Sequence, residues 1–206
     1  MPIASRPVSP SSPKRPRPDS GNATRLVRTA AQALEGWISA GRWGTADGFP
    51  VLYLGRPTSS VIVEAYRHQV DPIIFDDPAD RERFIAGLLP RVLVTCTVNV
   101  GGLLDLRTAT ARAATGLSMQ DLQSSVYDKD AYRRCQQVAQ VAHQLGRRGI
   151  LAPAATGLGE TLAVFTARIS AGARPVRCAE DVRWAHLPPD PRVSPISPLR
   201  IVRGES

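Results

Sequence analysis

Cysteine is scarce. The chain holds three, Cys96, Cys135 and Cys178, an odd number with no close spacing. That excludes a disulfide framework and a zinc site of the usual spacing. Histidine is equally sparse. His68, His143 and His186 lie far apart and give no sign of converging ligands, so no metal is expected. No apolar run approaches the ~18 residues that span a membrane. The opening MPIASRPVSP has no apolar h-region, so no secretory signal is expected and a cytoplasmic location follows by default. No internal repeat is visible. P-loop, GxGxxG, GxSxG and HExxH patterns are all missing, which removes several common enzyme classes.

The rest is ordinary globular material. The 206 residues are 43% hydrophobic and 21% charged, enough for one domain with a core that needs no covalent staple. The unusual quantity is charge. Lys and Arg number 26 against 18 Asp and Glu, a net +8. Such a surplus suggests an anionic partner, with nucleic acid as the first candidate. Its distribution argues otherwise. Residues 1–24 carry +3 and residues 188–206 carry +1, leaving +4 on residues 25–187. Six of the 18 prolines lie in residues 1–20 and five in 188–198. These segments read as a disordered leader (1–24) and a Pro-rich tail (188–206) around one domain (25–187). Aromatic interleaving and a recognition helix are lacking, so no direct nucleic-acid contact is expected.

Within the domain, apolar Phe49–Leu54 between Gly48 and Gly55 reads as a buried strand. Thr58 is a candidate cap for a following helix that presents Val61, Ala65 and His68 on one face. Asp77-Pro78 opens another helix. Residues 91–100, RVLVTCTVNV, alternate and are β-branched, so they read as a strand. Thr108 caps a short helix that ends at Gly116. Asp130 opens the longest helix, with Cys135, Val138, Ala142 and Leu145 as its apolar face. GILAPA and ETLAVF read as strands split by a Gly157/Gly159 loop, and VRCAEDVRW as a weaker last strand. The pattern predicts an α/β or α+β fold, without a strict βαβ rhythm to separate them.

The most informative stretch runs from Gly41 to His68. Arg42 lies in a Gly-flanked turn just before a strand. Tyr53 sits near the end of that strand. Glu64 lies in the helix beyond, among apolar neighbours. A turn arginine, a strand-end aromatic and a helix carboxylate can converge at one sheet rim. Each also has an ordinary structural reading, and spacing alone does not choose.

At this stretch the chain resembles the RES domain family, toxins of bacterial toxin–antitoxin pairs. The family pattern is a GGRWN turn, a PVLYL-type strand and a helix with glutamate in an ALxEVxxH-like setting. Here these stand as Ala40-Gly41-Arg42-Trp43-Gly44, Pro50–Leu54 and Val63–His68. A second block, an apolar segment ending in PSA before a glycine loop and a strand, stands as Gly149–Ala155, Thr156–Gly159 and Leu162–Phe165. The match spans about residues 25–180. It departs at Gly44 for Asn, Ala40 for Gly and Ala154 for Ser.

The resemblance implies a fold similar to ADP-ribosyltransferase toxins and cleavage of the nicotinamide–ribose bond of NAD+, by phosphorolysis or hydrolysis. A protein ADP-ribosyltransferase on the same scaffold, or a domain without turnover, are the alternatives. NAD+ is then substrate rather than cofactor, with inorganic phosphate as co-substrate and no metal required. That bond breaks through an oxocarbenium-like transition state. Glu64 is expected to stabilise the developing charge. Arg42 and Arg28 (or Arg25) are expected at the pyrophosphate, and Tyr53 at the nicotinamide ribose. Ala154 and Thr156 are expected as loop contacts. The expected protein partner is a small helix-turn-helix antitoxin of the Xre type.

Overall fold

The computed structural model describes residues 19–193. The expectations for residues 1–18 and 194–206 lie outside them. The strands are β1 (Asp19–Val27), β2 (Val51–Arg56), β3 (Arg91–Val100), β4 (Leu104–Asp105), β5 (Gly149–Pro153), β6 (Glu160–Phe165), β7 (Val176–Arg177) and β8 (Val182–Trp184). The helices are α1 (Thr58–Gln69), α2 (Pro78–Ala86), α3 (Ala109–Ala114), α4 (Met119–Gln123) and α5 (Lys129–Gln144). The strands form one sheet in the order β4-β5-β6-β2-β1-β3-β7, with β8 also on β3. Only β4 and β5 pair in parallel among the described strands. The fold is therefore mixed, with a mostly antiparallel sheet.

The apolar run at 51–54 is continuous because β2 is buried on both faces. Val51 joins Leu106, Leu122, Cys135, Ile150, Ala163 and Phe165 in the core under α5, with Tyr53 packed against it. Leu52 and Leu54 point the other way and pack with Cys96, Val98, Leu151, Leu162 and Val164. β2 lies between β1 and β6, with Tyr53 opposite Ala163 and Gly55 opposite Thr24.

Several expectations shift. β1 begins at Asp19, so the strand takes in residues assigned to the leader, and its long register against β3 runs from Asp19↔Val100 to Val27↔Val92. Pro57, not Thr58, is the N-cap of α1. Asp128 caps α5 through a bond from the Ala131 N–H, so that helix starts before Asp130. Its core face is Ala131, Cys135, Ala139 and Ala142, with Val138 packed beside it as expected, whereas Leu145 follows the last turn and is exposed. The last strand is two short ones, β7 and β8, which both pair with β3. Asp77 caps α2 and Thr108 caps α3, as their sequences predict.

The β5–β6 turn reaches the junction of β2 and α1. Gly159 has φ +73°, and a Cβ there would stand 2.1 Å from the Arg56 carbonyl oxygen. Only glycine fits both the backbone and the approach.

Candidate functional site

A cleft of about 690 Å3 opens beside β2 and along α1. Its α1 wall is Ser60, Val61, Glu64, Ala65, His68 and Gln69. Val61, Ala65 and His68 therefore face the cleft, while Val63, Tyr66 and Val70 are the buried apolar side of this segment. The opposite walls come from residues 40–43, Tyr53, Tyr132, Pro153 and Ala155. The end near the α1 C-terminus is closed by Leu26 and Arg91, whereas Arg25, opposite Val94, turns its guanidinium to the Ala33 and Glu35 carbonyls on the other face of the sheet.

The turn that carries Arg42 is tightly held. Gly41 and Gly44 exchange backbone hydrogen bonds of 2.9 and 3.4 Å. Gln136 on α5 donates through Nε2 to both of their carbonyls, at 2.9 and 3.1 Å. Trp43, 2% exposed, drives its ring into the core between them. A Cβ on Gly41 would stand 2.7 Å from the Tyr53 hydroxyl, so glycine there lets the turn and the strand-end tyrosine touch. That hydroxyl accepts a 2.9 Å hydrogen bond from the Trp43 N–H. Burial raises the Tyr53 pKa far above the usual phenol range, so the hydroxyl keeps its proton.

Arg42 itself is 9% exposed. Its Nη1 donates to the Asp121 carbonyl at 2.6 Å and to Ser124 Oγ at 3.0 Å. Its Nη2 donates to the Ser124 carbonyl at 2.9 Å. The guanidinium lies over the Tyr132 ring, 4.4 Å from its centroid. At least three of its five N–H donors are thus committed to the C-terminal end of α4. Arg67 reaches the same Ser124 carbonyl at 3.1 Å. α4 is anchored in turn by Asp121. Its Oδ2 accepts from the Ser118 N–H and Oγ in a capping box, and its Oδ1 from Arg134 Nε at 2.9 Å. The Ser118 backbone donor is the largest influence. Together with Ser118 Oγ and Arg134 it outweighs burial and holds the carboxyl down to about 2.

Glu64 Oε1 lies 3.0 Å from His68 Nε2. Burial would raise its pKa. The hydrogen bond and charge of His68, then the charges of Arg67 and Arg42, oppose this, and the net direction is down. Glu64 is an ionised carboxylate at ordinary pH.

Of the residues singled out from sequence, Arg42, Tyr53 and Glu64 meet in this one cleft. Arg28 does not: it lies exposed just past β1 and is not part of the lining, whereas Arg25, the second choice, borders it with its guanidinium turned to the other face of the sheet. The strand carries residue 25 along the cleft and releases the chain before residue 28. Burial and the like charge of Arg28 lower the Arg91 pKa, so Arg28 reaches the site only through its field. Ala154 is 1% exposed and not part of the lining, while its neighbours Pro153 and Ala155 line the wall. Thr156 is a partner of cleft-lining Ser60, with 3.1 Å between hydroxyls. Sequence reasoning missed Arg91, Ser124, Tyr132 and Gln136. Tyr132 and Gln136 are four apart on α5, off its core face, and that spacing was a usable signal.

A family model described as the RES domain matches residues 20–185. The NAD(+) phosphorylases MbcT of Mycobacterium bovis and of Mycobacterium tuberculosis are 30% identical over 142 residues, covering 69% of this chain and 70% of each relative. The crystal structure of the M. tuberculosis MbcT–MbcA toxin–antitoxin complex matches with a TM-score of 0.64 and 26% identity, over 82% of this chain and 86% of that one.

Proposed function

The chain belongs to the RES domain family, and from that premise we propose that it is a toxin that cleaves the nicotinamide–ribose bond of NAD+ and passes the ADP-ribosyl group to inorganic phosphate. The observation that carries this is the meeting of an ionised glutamate, two tyrosines and two arginines, Arg42 and Arg91, in one cleft. Loss of nicotinamide leaves positive charge on the ribose. A fixed carboxylate at that point stabilises the transition state more than the ground state. That is the role of Glu64. Nicotinamide leaves uncharged, so no acid need protonate it. A phosphate dianion attacks without a base.

The cations divide the remaining work. Arg42 shapes the wall and carries Tyr132 with it, since its terminal nitrogens already serve α4. Arg91 lies toward the other end of the lining, beside Gln69, the better station for a dinucleotide pyrophosphate. The alanine at 154 does not argue against turnover, because that residue is buried and not part of the cleft lining.

MbcT was solved with its antitoxin MbcA, and a toxin of this kind needs such a partner. We infer a small helix-turn-helix protein, encoded next to it. No helix among the described residues is long and apolar enough to cross a membrane. The cytoplasmic NAD+ pool is the substrate we assign.

The test is nicotinamide release by purified protein with and without phosphate, using labelled NAD+. ADP-ribose 1″-phosphate as product supports the proposal. Label on a protein band, or unchanged cellular NAD+ during toxic expression, overturns it. Glu64→Gln is expected to lower kcat by roughly 10²- to 10³-fold and to remove toxicity, with the fold intact by circular dichroism.

A further inference from the structure

His68 follows Glu64 by one helical turn, so the two side chains share a face of α1. Both line the cleft. Among the described residues, the hydrogen bond to the Glu64 carboxylate comes from His68, at 3.0 Å. A glutamate has three rotatable side-chain bonds. Left alone on a half-open helix face, it would spread over several rotamers, and a reacting carboxylate displaced by about 1 Å can lose on the order of 10²-fold in rate.

We propose that His68 is a positioning residue: its Nε2–H fixes the Glu64 carboxylate in the orientation that meets the reacting ribose. This rests on the reading of Glu64 given above. The neutral Nε2–H tautomer and the imidazolium both offer that donor. The last turn of α1, where His68 sits, favours a donor or cation because helix carbonyls end there.

The other charged and titratable groups around the pair leave this role to His68. Arg67 on α1 spends its Nη2 on the Ser124 carbonyl. Arg42, from the turn, serves Asp121 and Ser124. Tyr53 on β2 is bonded to the Trp43 N–H. Tyr132 on α5 feels the Glu64 charge, and its own pKa is raised first by burial. These groups set the field, and His68 supplies the contact. An i,i+4 pair that merely stabilised a helix would leave the chemistry untouched.

The experiment compares His68→Ala, His68→Gln, Glu64→Gln and the double variant His68→Ala/Glu64→Gln. Nicotinamide release from NAD+ with inorganic phosphate is followed across pH, and folding is checked by thermal melts. His68→Ala is expected to lower kcat roughly 10- to 100-fold while the protein stays folded. Without its partner, burial raises the Glu64 pKa, so the acid limb of the pH profile moves to higher pH. His68→Gln places an amide N–H near the same point and recovers most of the loss. On the Glu64→Gln background, His68→Ala costs nothing further. Wild-type kcat and an unmoved acid limb in folded His68→Ala overturn the proposal alone. So does an equally deep loss on the Glu64→Gln background. Full activity of Glu64→Gln overturns the reading of the site, and this inference with it.

Discussion

Two arginines line the same cleft and live differently. Arg42 is almost buried, gives both terminal nitrogens to the end of α4 and stacks on Tyr132. Arg91 is half-buried, and its Nη2 goes to the neutral side chain of Gln69. The first guanidinium is framework. The second keeps donors for an incoming anion. A positive charge in a cleft therefore does not identify a ligand contact; what its N–H groups already hold does. Arg25 lies on the other face of the sheet, with Nη1 donated to the Ala33 and Glu35 carbonyls.

This contrast is open to measurement. Arg42→Ala is expected to have the largest effect. It strips a buried partner from the Asp121 and Ser124 carbonyls, costing about 3 kcal/mol of stability, and activity falls with it because α4 and Tyr132 lose their anchor. Chemical denaturation at neutral pH measures this. A variant as stable as the parent but raised in KM would make Arg42 a ligand arginine after all.

Asp121→Asn comes next. The folded-state pKa of Asp121 lies near 2, below the ordinary carboxylate value. Its contribution of about 2 kcal/mol is complete above pH ~4 and is lost as pH falls toward 2. The variant should be less stable by that amount at neutral pH, and the gap should close in acid. An unchanged gap at pH 2 would mean that the carboxylate charge is not what holds α4.

Arg91→Gln should be smallest in stability, within about 0.5 kcal/mol. It should raise KM for NAD+ about tenfold with kcat nearly kept, the loss of one charge-assisted contact. A stability loss as large as that of Arg42→Ala would erase the distinction between the two ends.

Much of this was legible in the amino-acid order. β2, α1 and β3 announce themselves by apolar runs and β-branched alternation, and Asp77 and Thr108 mark helix starts that the structure keeps. The Arg42–Tyr53–Glu64 convergence followed from spacing and the family pattern. β1 did not, because Asn22, Thr24 and Arg25 are polar for a strand with neighbours on both sides. Thr24 faces the cleft, while Arg25 lies on the opposite face with buried Ala23 and serves the Ala33 and Glu35 carbonyls. α4 is only five residues, too short for periodicity, although Ser118 and Asp121 spell a capping box. The commitment of Arg42 to carbonyls 79 and 82 residues away is a tertiary fact that no local pattern carries.

The sheet order also sets a clock. β2 needs β6 as its neighbour, and the Arg42 turn needs α4 and Gln136. Glu64 leaves the ribosome about 100 residues before Phe165 completes β6. At synthesis rates of roughly 5–20 residues per second, that is about 5–20 seconds. A nascent chain therefore carries Glu64 long before it has a cleft to put it in, and a cell making this protein meets its activity only once the chain is nearly finished.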